Sequence, residues 1–246
     1  MRPPVLIIGA HRSGTSATAH ALQIMGLQIG QRLDSHYESK ELQKLHDDYL
    51  HEVGASWHDP GTFLDSIRTE EGMRQCVEYL QENAGRDFAN IFGYRKNPLG
   101  LWKLLRLKVG AAWGWKEPRT TLFAPAWLQI FPQSEIIHVV RDPMAAALSL
   151  QRRELKFQSA GDPATGSLAD LEYCLRLVRT YVAAGERLSR RDQYVRVRFE
   201  EIQADPVSLL AQTATFCGLK FSSSQVERAA ETIRPSAQAN HSGRTD

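Results

Sequence analysis

The sequence predicts an α/β fold in three layers, a central parallel β-sheet flanked by helices on both faces. Three observations predict it. Short apolar strand patterns alternate with helical patterns along most of the 246 residues. The first of them, "PVLIIG" from Pro4 to Gly9, is a continuous apolar run of the kind buried inside a parallel sheet. That run passes through a glycine-containing turn straight into a helical period.

The elements follow in order. Ser13 to Met25 alternates at helical period, with Gly26 as its stop. Helices are expected from about Ser39 to Val53 and from about Thr69 to Asn83. "AAWGWK" (111–116), "EIIHVV" (135–140) and "YVRVRF" (194–199) are three further strands, each followed by a turn and a helical pattern. Residues 143–154, 168–189 and 206–217 read as helices, the last opening with Asp205 as N-cap and Pro206 in its first turn. Residues 54–67, with Gly54, Pro60 and Gly61, read as a loop, and "QSAGDPATGS" (158–167) as a mobile cover. Neither has the character of an interdomain linker, so residues 1–246 are expected to form one domain. Sheets of this kind bind ligands beyond the carboxyl ends of their strands.

Composition narrows the function. Charged residues make up 24% of the chain and the net charge is only +2, far from the dense positive field of a nucleic-acid binder. Cys76, Cys174 and Cys217 are widely spaced and odd in number, which suggests neither a disulfide framework nor a zinc site. The N-terminus lacks the apolar core of a signal peptide, and no apolar run is long enough to span a bilayer. A reducing, cytoplasmic setting is expected, with no metal; oligomeric state has no signature in the sequence.

Two segments carry the chemistry. In "GAHRSGTSA" (9–17), Gly9, Gly14 and Ser16 keep the spacing of a nucleotide P-loop, but Thr15 stands where its lysine belongs. Backbone N–H groups from Ser13 to Ser16 can cradle a phosphate at a helix N-terminus, the Thr15 and Ser16 hydroxyls add donors, and Arg12 supplies the cation. Without the lysine, metal-dependent hydrolysis of a triphosphate is disfavoured. In "IIHVVRDPMAAALSL" (136–150), Arg141 leaves a strand end and Ser149 follows eight residues later, two helical turns on. Arginine there can grip a phosphate as a fork, or pair with a surface carboxylate.

Together these segments resemble the sulfotransferases that use 3′-phosphoadenosine 5′-phosphosulfate (PAPS), in their bacterial form, whose fold is P-loop-like. The resemblance implies a 5′-phosphosulfate loop at 9–17 and a 3′-phosphate segment at 136–150. It assigns Arg12, Ser13, Gly14, Thr15, Ser16, Arg141 and Ser149 to the co-substrate. "WGWKEPRT" (113–120), "HYESKELQKLHDDYLHEVGASW" (36–57) and "VRFEEIQADPVSLLAQTATFCGL" (197–219) are similar to further segments of bacterial members. The chain departs from the cytosolic animal and plant branch. Pro118 occupies the place of that branch's histidine base, and the C-terminal nucleotide-binding motif is missing, leaving only Arg234 and Arg244 as substitutes.

The resemblance points to Glu38 as the base for the acceptor hydroxyl; the alternative is an acid at the start of the following helix. His11 and His36 compete with it. His11, in the loop, is expected to have phosphate neighbours that favour its charged form. Lys116 is expected to stabilise charge on the transferring group, with Arg119 and His11 toward the acceptor and Glu117 orienting Lys116 or Arg119. Arg119 has an alternative reading as an ion pair with Glu117 or Asp142. The stretch 95–108 carries Arg95, Lys96, Lys103, Arg106 and Lys108 without an acid. It reads either as a solvated helix face or, less favoured, as a wall for an anionic acceptor. The expected activity is sulfuryl transfer to a hydroxyl-bearing acceptor such as a glycan, lipid or small molecule. Its rivals are a P-loop kinase with Asp142 holding metal, and a nucleotide-binding protein without turnover.

Overall fold

The computed structural model describes residues 2–30, 33, 37–84, 110–159 and 166–233. His36, the basic stretch 95–108, Arg234 and Arg244 lie outside the described residues, as does most of the expected cover at 158–167.

Among the described residues, four strands form one parallel sheet in the order β2-β1-β3-β4: β1 is Val5–Ile8, β2 Gly114–Lys116, β3 Glu135–Val140 and β4 Tyr194–Arg198. β1 sits inside, with Ile7 opposite both Lys116 of β2 and Ile137 of β3. All four residues of β1 are buried because alternate side chains enter different cores. Leu6 and Ile8 pack with Trp113, Trp115, Phe123 and Trp127, while Val5 and Ile7 pack with Leu22, Ile137, Val139 and Leu210. The expected three layers are these two cores on either side of the sheet.

Helices α1 (Thr15–Ile24), α9 (Pro206–Phe216) and α10 (Ser223–Glu231) cover the second face. The first is covered by α2 (Lys40–Glu52), α3 (Gly61–Ser66), α4 (Glu70–Ala84), α5 (Thr120–Ile130), α6 (Pro143–Ser159) and α7 (Leu171–Glu186). A short helix, α8 (Phe199–Ala204), follows β4. Side-chain caps fix several starts: Ser39 accepts from Leu42 N, Asp170 from Tyr173 N and Asp205 from Ser208 N, while Ser222 and Gln225 form a capping box.

The sequence reading differs from this structure in identifiable places. Helix α5 falls where a turn and helical pattern were expected after 111–116, but its bounds were not read, since nearly all of its residues are buried and no polar face marks a period. Pro125 inside it also reads as a breaker. The expected loop 54–67 contains α3, the strand expected to 199 turns into α8 at Phe199, and α10 was unread. Helix α1 starts at Thr15 rather than Ser13, because Gly14 takes a left-handed conformation with φ 96°. The helix expected at 168–189 is a 3₁₀ turn, Gly166–Ala169, followed by α7. Among the described residues no helix is long and apolar enough to cross a membrane.

One buried histidine makes the fold sensitive to acid. His138 of β3 is fully buried against Gly185 of α7, where any Cβ would meet the imidazole at 2.4 Å, and its Nδ1 bonds the Tyr194 hydroxyl at 2.7 Å. Burial, helped by the charge of Arg196, lowers its pKa to about 4. Between pH 6.5 and 4 the unfolded chain binds a proton here that the native protein refuses, so stability falls as pH falls through that window. At pH 4.5 the loss from this group is expected to be roughly 2–3 kcal/mol relative to pH 7. In urea unfolding at both pH values, His138→Phe should lose less stability on acidification than the parent by that amount; equal losses would contradict the assignment.

Candidate functional site

The parallel sheet brings the residues after its strands to one edge, where they line a cavity of about 580 Å³. β1 delivers His11, Arg12 and Gly14–Ala17, β2 delivers Lys116, Pro118 and Arg119, β3 delivers Arg141 and β4 delivers Phe199. Glu38 before α2, Gln43 within it, Trp57 after it and Arg153 of α6 add to the wall.

The loop of residues 9–17 is built to leave donors open. Unlike α2, α7, α9 and α10, helix α1 has no side-chain cap at its N-terminus. A Cβ on Gly14 would lie 2.2 Å from Cδ2 of Phe199, so only glycine lets that ring close over the loop. Ser13 is buried beneath it, its hydroxyl without a partner among the described residues. Arg12 is held at φ 66° and Tyr37, next to Glu38, at φ 61°. Among the described residues these are the two non-glycine positions in the left-handed region; Arg12 lines the cavity, and Tyr37, stacked on His20, precedes Glu38, which does too.

The two segments singled out in the sequence interlock. Arg12 Nε donates to Ser149 Oγ at 3.0 Å, and Arg141 Nη1 donates to the Arg12 carbonyl at 3.2 Å. Burial, with Arg153 and Arg141 nearby, lowers the Arg12 pKa. Neither Arg12 nor Arg141 has a carboxylate partner among the described residues. The site thus sets two cations, without carboxylate partners among the described residues, beside an uncapped helix N-terminus in which the Ser13 N–H donates to the Ala10 carbonyl at 3.2 Å. Arg141 also lies over the Phe199 ring, 5.9 Å from its centroid.

Lys116 and Glu38 meet as a buried ion pair. Glu38 takes a second hydrogen bond, from Gln43 Nε2 at 2.5 Å. Glu38 therefore faces the cavity as an acceptor already engaged on both oxygens, and the capping role falls to Ser39. Glu117 does not reach Lys116 in the ion pairs of the site. It binds Arg119 Nη1 through Oε1 at 2.6 Å, and Arg119 Nε pairs with Asp47 at 2.5 Å, so Asp142 is not its partner. Asp142 instead caps α6, accepting from Ala145 N at 2.8 Å.

Behind Arg119 lies His46, fully buried. Trp127 Nε1 can only donate, and it donates to His46 Nε2 at 3.0 Å. The imidazole proton therefore sits on Nδ1 and is donated to Glu117 Oε2 at 2.6 Å. Burial alone would raise the Glu117 pKa; the Arg119 charge and these hydrogen bonds outweigh it and hold the carboxyl below the usual range.

His11 differs most from expectation. Its ring packs on Trp57 at 4.5 Å and edge-on to Tyr181 at 5.5 Å. Burial comes first, then Arg119 and Arg153, with Glu117 opposing and Lys116 adding a little; together they hold its pKa well below 6.5. In the protein itself, then, His11 is held neutral rather than charged. Trp57, Gln43, His46, Asp47, Arg153 and Phe199 were not singled out in the sequence. Arg153 is four residues past Ser149 and so on the same helix face, and Phe199 directly follows a strand; both spacings were legible signals. Among the described residues no group of His, Cys, Asp and Glu is arranged to hold a metal ion.

Comparison with known proteins agrees with this architecture. A family model described as "Sulfotransferase family" matches residues 3–223. Curated protein sequences give no match. Among solved structures, a sulfotransferase from Alicyclobacillus acidocaldarius is similar at TM-score 0.51 and 16% identity, over 91% of this chain and 85% of that one. The sulfotransferase STF9 from Mycobacterium avium is similar at TM-score 0.53 and 16% identity, over 98% of this chain and 69% of that one. Mouse sulfotransferase SULT7A1 complexed with PAP is similar at TM-score 0.52 and 13% identity, over 95% of this chain and 64% of that one. At these identities the likeness is one of fold.

Proposed function

The chain belongs to the sulfotransferase family, and from that premise we propose that it transfers a sulfuryl group from PAPS to a hydroxyl, releasing adenosine 3′,5′-bisphosphate. One observation carries the choice of donor: Arg12 and Arg141, without carboxylate partners among the described residues, flank an uncapped helix N-terminus. Such a site favours a ligand with two separated anionic groups. The N–H groups of Ser13 to Ser16 take the 5′-phosphate, with Arg12 near the bridging oxygen; Arg141 and Ser149 take the 3′-phosphate. Phe199, closed over Gly14, offers the purine a ring face. The mouse structure complexed with PAP is consistent with this choice of nucleotide.

In the transfer, the acceptor oxygen bonds to sulfur as the bond from sulfur to the 5′-phosphate oxygen breaks. The hydroxyl proton passes to Glu38. Lys116, paired with Glu38, is placed to follow negative charge onto the departing phosphate. Arg119, held by Glu117 and Asp47, presents its remaining Nη2 to the acceptor, with the neutral His11 ring beside it. Against the kinase alternative, Asp142 accepts from Ala145 N as the α6 cap, and among the described residues no group of His, Cys, Asp and Glu is arranged to hold a metal ion.

In EDTA, adenosine 3′,5′-bisphosphate should raise the thermal midpoint, and ATP with Mg²⁺ should raise it much less; the reverse order would sink the proposal. With a working acceptor, Glu38→Gln should lower kcat by about 10²–10⁴ while leaving bisphosphate affinity nearly unchanged. An unchanged kcat would remove Glu38 as the base.

A further inference from the structure

Arg119 is held from behind at two points of unequal strength. Its Nη1 donates to Glu117 Oε1 at 2.6 Å, and Glu117 is fully buried. Its Nε donates to Asp47 Oδ1 at 2.5 Å, but the Asp47 side chain is 45% exposed, so solvent screens that contact. Glu117 is therefore the anchor, and its other oxygen, Oε2, accepts from His46 Nδ1 at 2.6 Å. His46 is fixed in turn by Trp127, which donates to its Nε2 at 3.0 Å, and by Phe123, stacked on it at 4.4 Å between ring centroids. His46 is fully buried and does not line the cavity, so it touches no ligand there. Burying its two nitrogens costs free energy that an apolar side chain would not. Among the described residues their hydrogen bonds go to Trp127 and Glu117.

We propose that His46 is a positioning residue for the acceptor: by holding the second oxygen of Glu117 it fixes the carboxylate plane, and so aims Arg119 into the cavity. The inference rests on the sulfotransferase reading and on Arg119 facing the acceptor. With both oxygens engaged, the Glu117 carboxylate cannot rotate about its last bond without breaking a charge-assisted hydrogen bond. Without His46 it can turn, and the guanidinium then pivots on the screened Asp47 contact. Arg119 lines the cavity and keeps Nη2 uncommitted among the described residues, so such a pivot moves a donor that it offers there. A displaced donor weakens the hold on the acceptor in ground state and transition state alike, which raises KM more than it lowers kcat. The nucleotide side is spared. Arg12 and Arg141 follow β1 and β3, and they bond Ser149 and the Arg12 carbonyl rather than Glu117.

The test uses the full chain with labelled PAPS and a panel of p-nitrophenol, 1-octanol and p-nitrophenyl β-glucoside, with kinetics taken on the acceptor labelled best. His46→Leu should raise the acceptor KM about tenfold while kcat changes by less than about threefold. His46→Asn, whose amide nitrogen can take the place of Nδ1, should return KM to within about threefold of the parent. A role in packing alone gives the opposite order, since Leu fills the buried site better than Asn. In an Arg119→Ala background, His46→Leu should leave the acceptor KM where Arg119→Ala put it. Calorimetric affinity for adenosine 3′,5′-bisphosphate should match the parent in each variant and serves as the control for folding. Should His46→Leu fail that control, Glu117→Gln replaces it, with the same rise of about tenfold expected. An unchanged KM, a His46→Asn enzyme worse than His46→Leu, or additive effects in the Arg119→Ala background overturns the proposal. A parent that binds the bisphosphate and labels none of the panel overturns the transfer reading beneath it, and the proposal with it.

Discussion

The parallel pairing of β1 between β2 and β3 is the constraint on which the rest depends. With Ile7 level with Lys116 on one side and Ile137 on the other, the parallel strands present their carboxyl ends to one edge, β3 and β4 running two residues beyond the level of Ile8. Every chain segment that follows a strand must then turn over the same sheet edge. Residues far apart in sequence, such as Arg12 and Ser149, come within a hydrogen bond because their strands share that register. The burial of all four β1 residues makes the register hard to change, since a slip of one residue would exchange the contents of the two cores.

Charge is distributed on this edge in two ways, and the difference organises the site. Where a cation is buried, as with Lys116 and Arg119, the fold supplies carboxylates and then fixes those in turn. Glu117 is fixed by His46, and His46 by Trp127 in the core, so packing behind the site sets the position of a group in front of it. Arg12 and Arg141 have no such support among the described residues. Burial and the charges of Arg153 and Arg141 lower the Arg12 pKa, so an anion bound between Arg12 and Arg141 would offset that repulsion.

Much of this was legible in the sequence, and the rest was not for definite reasons. The glycine loop and the strand-end arginine are local signals, and the structure places Arg12 and Arg141 on the cavity wall, with Ser149 accepting from Arg12. The position of Glu38 was readable, but its partner Lys116 is 78 residues away, and a single sequence holds no record of that contact. Helix α5 lacks an amphipathic period because it is buried nearly all round. The neutral state of His11 comes from burial, then from Arg119 and Arg153, all consequences of tertiary packing. Local chemistry could only weigh the expected phosphate.

The most direct measurement is a crystal structure of the chain with adenosine 3′,5′-bisphosphate. The account predicts the 5′-phosphate on the N–H groups of Ser13 to Ser16 and the 3′-phosphate within hydrogen-bond reach of Arg141 and Ser149, with Arg12 released from Ser149. A nucleotide bound away from this strand edge, or one whose 3′-phosphate does not meet Arg141, would contradict it.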